Sequence, residues 1–189
     1  FYAGLQASER LGLKVIEIPS HPREGVSLTA LEDALRHHPI KACLFMLTFA
    51  NPTGSLVTDA RKKELVSLLH RYQIPLIEDD VYAELYFSKQ APLCTKAEDR
   101  DGFVMHVSSF SKCLAPGYRL GWVAAGRYAG QIQRQKLSTS LATTVPVQIA
   151  LADYLKHGAF ENHLRQLRRK LAEQEAGLVA AVERHFPEG

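Results

Sequence analysis

Short runs of apolar, strand-favouring residues alternate with longer segments of helical period from the first residue to about residue 126, and no other feature constrains the fold as tightly. Parallel strands need a long crossover between them, usually a helix, so this alternation predicts an α/β fold with a mainly parallel sheet. Five strands are expected, at residues 14–18, 41–47, 76–78, 103–107 and 120–125. Helices are expected over residues 2–11, from near Thr29 with Glu32 three positions on as in a capping box, and over 59–72. Beyond Gly126 the pattern turns helical, with segments at 128–137, 146–156 and 159–185. The division predicted is therefore an α/β part, residues 1–126, and a helical exit, residues 127–189, with polar loops at 19–25 and 89–101.

Composition narrows the class further. With 46% hydrophobic and 23% charged residues, the 189-residue chain can bury one substantial core. Its 23 basic and 20 acidic residues are interspersed, so the net charge of +3 does not point to nucleic acid. No apolar run approaches the roughly 18 residues of a membrane span, and residues 1–10 lack the pattern of a signal peptide. Cys43, Cys94 and Cys113 are an odd number without C-x-x-C spacing. That argues for reduced thiols in a cytoplasmic setting and against a disulfide framework or a metal site.

Four segments carry chemistry, and each falls where a strand meets a loop, the edge at which open α/β sheets bind ligands. Asn51-Pro52-Thr53-Gly54 is, taken alone, an ordinary turn. In Ile77-Glu78-Asp79-Asp80-Val81-Tyr82 the carboxylates either face a ligand together with Tyr82 or cap the next helix, as Asp80 is placed to do. Ser108-Ser109-Phe110-Ser111-Lys112 sets hydroxyls suited to a phosphate beside a lysine, which attacks a carbonyl only when neutral. Arg119, seven residues after Lys112, either pairs with a phosphate or forms a structural ion pair.

The order and wording of these segments are more specific than any one of them. The chain resembles fold-type-I pyridoxal-phosphate enzymes of the aspartate-aminotransferase superfamily over residues 1–185. Glu78-Asp79-Asp80-Val81-Tyr82, the run from Ser108 to Trp122, and Pro19-Ser20-His21-Pro22-Arg23-Glu24-Gly25 are similar to the aminotransferase-like domain of MocR-type regulators of the GntR family. The resemblance implies a three-layer αβα sandwich, part of the large domain, followed by a long interdomain helix. It implies that Lys112 holds pyridoxal 5'-phosphate as a Schiff base and shuttles a proton. Asp79 would face the ring nitrogen, Asn51 and Tyr82 the phenolic oxygen, and Ser109, Ser111 and Arg119 the phosphate.

The family's glycine-rich phosphate loop would lie before Phe1 and its substrate-carboxylate arginine in a small domain after the long helix, so the chain reads as a fragment of a larger protein. The resemblance also implies a homodimer, an amino-acid or amine substrate or effector, and DNA contact only through a domain outside these residues. A metabolic aminotransferase remains the alternative to a regulator. Ser109-x-x-Lys112 also fits the nucleophile motif of penicillin-binding proteins, but their Ser-Asp-Asn and Lys-Thr-Gly are missing. No dinucleotide or P-loop glycine motif follows a strand. Arg165, Arg168, Arg169 and Lys170 read as the wet face of the last helix.

Overall fold

The computed structural model describes residues 2–187. The chain forms six helices, α1 (Tyr2–Arg10), α2 (Leu28–His37), α3 (Asp59–Arg71), α4 (Ala129–Ser140), α5 (Val145–Lys156) and α6 (Ala159–His185), and two small sheets among the described residues. A hairpin joins β1 (Ser20–His21) to β2 (Gly25–Val26), and the main sheet has the order β3 (Cys43–Phe45), β4 (Leu76–Asp79), β5 (Val104–Ser109), β6 (Gly121–Ala124). β3, β4 and β5 are parallel, and β6 returns antiparallel to β5. This is the mainly parallel α/β sheet expected.

Two early segments differ from expectation. Residues 14–18 have the apolar content of a strand, but ladder bonds need a partner, and this stretch pairs with none among the described residues. The polar loop after it forms the hairpin instead. Gly25 makes the hairpin possible: its φ is +77°, and a Cβ there would stand 2.6 Å from Val57 Cγ2.

Local chemistry explains the helix starts. Ser27, not a residue near Thr29, caps α2 by accepting from the Ala30 amide at 3.3 Å. Glu32 is thereby released from the expected capping box and pairs with Arg36 at 2.8 Å and Arg71 at 3.4 Å. Thr58 caps α3 in the same way as Ser27 caps α2.

Leu31 and Leu35 of α2 and Leu65, Leu68 and Leu69 of α3 close over Cys43, Leu76 and Val104 of the sheet, forming the core. Each leucine so buried contributes roughly 1.5–3 kcal/mol relative to exposure. Alternation along the strands sends Leu44, Ile77, Asp79, Met105, Val107 and Val123 to the other face, which is more open, with Leu44 and Val123 exposed. The helical layer and the sheet are two of the three layers the resemblance implies.

α6 docks at the edge where β4 and β5 end. Leu164 is buried, the His163 ring lies 2.9 Å from the Cys113 carbonyl, and Phe160 meets Phe110 edge-on. Arg168 is not on a wet face. It donates to the Glu84 carbonyl at 2.7 Å, pairs with its carboxylate at 2.9 Å, and stacks 3.8 Å above Tyr86.

Candidate functional site

Because β3, β4 and β5 run parallel, their C-terminal ends share one edge, and Ser109 pairs in register with Gly121 at the start of β6. Parallel pairing thus brings the turn after β3, the end of β4, the turn after β5 and the approach to β6 together. Those are the four segments singled out by sequence. Gly121 permits the closest approach here, since a Cβ on it would meet the Ser108 carbonyl at 2.8 Å.

Asp79 and Ser109 project from the open face of the sheet. Asp79 Oδ1 is buried without a hydrogen-bond partner. Burial pushes the carboxyl above its ordinary 3.8; the Val81 amide offsets part of this, and the nearby Asp80 adds to the rise. A buried acceptor left unpaired costs roughly 1–3 kcal/mol, so the strand end holds a group that a donor from outside would stabilise.

Lys112 is exposed in the turn after β5, with Nζ 5.6 Å from the centre of the Tyr82 ring. Ser109 Oγ accepts from the Ser111 amide at 3.3 Å, and Arg119 Nη1 lies 3.4 Å from Ser111 Oγ. Arg119 has a left-handed backbone (φ +49°), which turns its guanidinium back over the turn, where it also donates to the Pro116 carbonyl at 3.1 Å. Two hydroxyls and a cation therefore face the same small region, an arrangement that suits a phosphate. Asn51 sits exposed in a separate turn closed by the bond from the Gly54 amide to the Ala50 carbonyl. Among the described residues no hydrogen bond ties it to the other six.

Sequence reasoning missed the opposite face of the same strands. There Glu78, fully buried, accepts from the Thr95 amide at 2.7 Å, from its hydroxyl, and from the Lys96 amide at 3.3 Å. His106 Nε2 stands 3.1 Å from Asp80 Oδ2, close enough to pair but off the line of a good hydrogen bond. Burial pushes the imidazole down, yet Asp80, Cys94 and Glu78 together lift it from 6.5 to about 10. The period-two position of Glu78 and His106 was the one signal available, and it reads equally as core.

The chain matches the family model described as aminotransferase class I and II over residues 5–187. It is 50% identical over 187 residues to the uncharacterized HTH-type transcriptional regulator YdcR of Escherichia coli, covering 99% of this chain and 40% of that protein. To the HTH-type regulator YjiR of the same organism it is 38% identical, again over 99% of this chain and 40% of the relative. Among solved structures, kynurenine aminotransferase from Pyrococcus horikoshii, in complex with PMP, superposes with a TM-score of 0.93 at 32% identity, covering all of this chain and 48% of that one. The chain thus spans less than half the length of the relatives it matches. An α/β sheet whose parallel strand ends gather these motifs, matched over nearly its whole length, belongs to the class I and II aminotransferase family.

Proposed function

We propose that this chain is a pyridoxal-phosphate-binding, aminotransferase-like domain that serves as the effector-sensing part of a MocR-type regulator of the GntR family. Support for the cofactor comes from the unpartnered buried oxygen of Asp79, which suits a protonated ring nitrogen. The hydroxyls of Ser109 and Ser111 with the guanidinium of Arg119 suit its phosphate. Lys112 would hold the group covalently through Nζ, and Asn51 and Tyr82 would donate to its phenolic oxygen. Pyridoxal phosphate, when bound, supplies an electron sink for a carbon that loses a proton. Lys112 Nζ would carry that proton.

The observation that carries the regulatory reading is the 50% identity with an HTH-type regulator, against 32% with a structurally matched aminotransferase. A homodimer, an amino-acid or amine effector, a cytoplasmic location and DNA contact through a segment outside these residues belong to the same proposal. The TM-score of 0.93 with a kynurenine aminotransferase favours a second reading, transamination between an amino acid and a 2-oxo acid.

The test is to incubate the full-length protein with pyridoxal phosphate, reduce with borohydride, and locate the phosphopyridoxyl group by peptide mass spectrometry. Label on Lys112, lost in Lys112→Ala, supports the site; label spread over surface lysines and unchanged in the variant overturns it. Affinity for DNA selected from a random pool, measured with and without pyridoxal phosphate, separates regulator from enzyme. A metabolic enzyme binds no such DNA and converts amino acid with 2-oxo acid.

A further inference from the structure

We propose that Glu78, Cys94 and His106 form a site for a divalent transition-metal ion of the zinc type, on the face of β4 opposite Asp79. The three residues come from β4, from the loop leading into β5 and from β5 itself, and one ligand atom from each lies within 4.8 Å of the others. Glu78 and His106 are at least nine-tenths buried, and Cys94 is half-buried.

Carboxylate, thiol and imidazole together are a zinc donor set, whereas magnesium and calcium take oxygen ligands alone. Two buried atoms behind the cluster lack a well-aligned hydrogen-bond partner. His106 Nε2 and Asp80 Oδ1 are both buried without a hydrogen bond, on side chains that a folded core would otherwise leave uncompensated. The outer shell is already in place. Thr95 and Lys96 amides hold the Glu78 carboxylate. Asp80 stands beside His106 Nε2, which leaves Nδ1 as the ligating atom, the usual arrangement in which a metal-bound histidine gives its second N–H to a carboxylate.

Ligand atoms of tetrahedral zinc lie roughly 3.5 Å apart, given metal–ligand distances of about 2.0–2.3 Å. Cys94 sits on the loop and not on a strand, which leaves it free to turn toward such a spacing. The ion would clamp residues 94–96 to β4 and β5 and so brace the strand that carries Asp79. The fourth position is left for water.

The test uses the full-length protein, stripped by chelator and kept free of pyridoxal phosphate, titrated with zinc alone and then with cobalt(II) alone. The expected result is one equivalent of zinc retained through gel filtration, and a thiolate-to-cobalt charge-transfer band that Cys94→Ser abolishes. Cys94→Ser and His106→Ala each weaken zinc binding by more than about 100-fold, while Asp80→Asn costs roughly 10–100-fold, the range for an outer-shell partner. Zinc that washes out, or that is retained equally in Cys94→Ser with no thiolate band in the parent protein, overturns the proposal. The cobalt band is read on the unmutated protein, so it decides the matter even where His106→Ala fails to fold. Because no cofactor is present, failure here leaves Lys112 labelling untouched, and the two readings fall separately.

Discussion

Lys112 Nζ lies 5.6 Å from the centre of the Tyr82 ring, although thirty positions separate the two residues in the chain. The parallel pairing of β4 with β5 brings them together, since each follows the C-terminal end of its strand. An exposed cation over an aromatic face is stabilised by roughly 0.5–1 kcal/mol. Tyr82→Phe keeps the ring and removes the hydroxyl, so labelling of Lys112 persists while the absorption of bound pyridoxal phosphate shifts. Tyr82→Ala loses both, and labelling at limiting cofactor falls about 2–5-fold. Equal labelling in all three proteins would show that Tyr82 does not help place the lysine.

Asp79 sets stability against binding. Its carboxyl is raised by burial, so the native state holds that proton more tightly than the unfolded chain does. Stability therefore falls as pH rises from the ordinary 3.8 through the folded value. Asp79→Asn removes the buried charge and stabilises the cofactor-free protein at neutral pH by about 1 kcal/mol, read as a higher urea midpoint. The same change weakens retention of pyridoxal phosphate, measured by its absorbance after dialysis. A variant that is less stable and binds as before would overturn this account.

Asp99 works in the opposite sense. Burial raises its carboxyl, but Lys96 Nζ at 2.7 Å and the amides of Val104 and Phe103 outweigh this and hold it below 3.8. The group therefore stabilises the fold above the ordinary carboxylate value, and that contribution is lost as pH falls through its lowered one. Asp99→Asn costs about 1–3 kcal/mol at neutral pH. The difference from the parent shrinks in acid, which urea titrations at a series of pH values will show.

Lys62 is fully buried and donates to Thr48 Oγ1 at 2.9 Å and to the Leu93 carbonyl at 2.6 Å. It ties α3 to the segment after β3 and to the loop before β5. Lys62→Met fills the space but leaves both acceptors unpaired, at a cost of about 1–3 kcal/mol. Hydrogen exchange at Thr95 and Lys96 should quicken in this variant more than exchange in the core of α3.

Much of this was legible in the residues. Periodicity alone marked strands at β3, β4, β5 and β6 and the long helix α6, whose observed bounds, Ala159–His185, are those expected. Motif order marked the edge at which Asp79, Ser109, Lys112 and Arg119 lie. It failed at residues 14–18, where an apolar stretch lacked a partner strand, and at α2, where Ser27 competed with Thr29 for the cap.

What only the tertiary structure decided involves side chains whose meaning depends on distant neighbours. Arg168 belongs to a helical stripe by sequence, yet Glu84 and Tyr86 cover part of it. Lys62 lies within α3, and two acceptors from other segments draw it inside. Cysteine and histidine spacing argued against a metal site, while Glu78, Cys94 and His106 converge from three segments. Local sequence determined period, caps and turns because those depend on residues a few positions apart. The convergence of buried polar groups depends on strand register and loop closure, which the sum of all packing sets and no short stretch encodes.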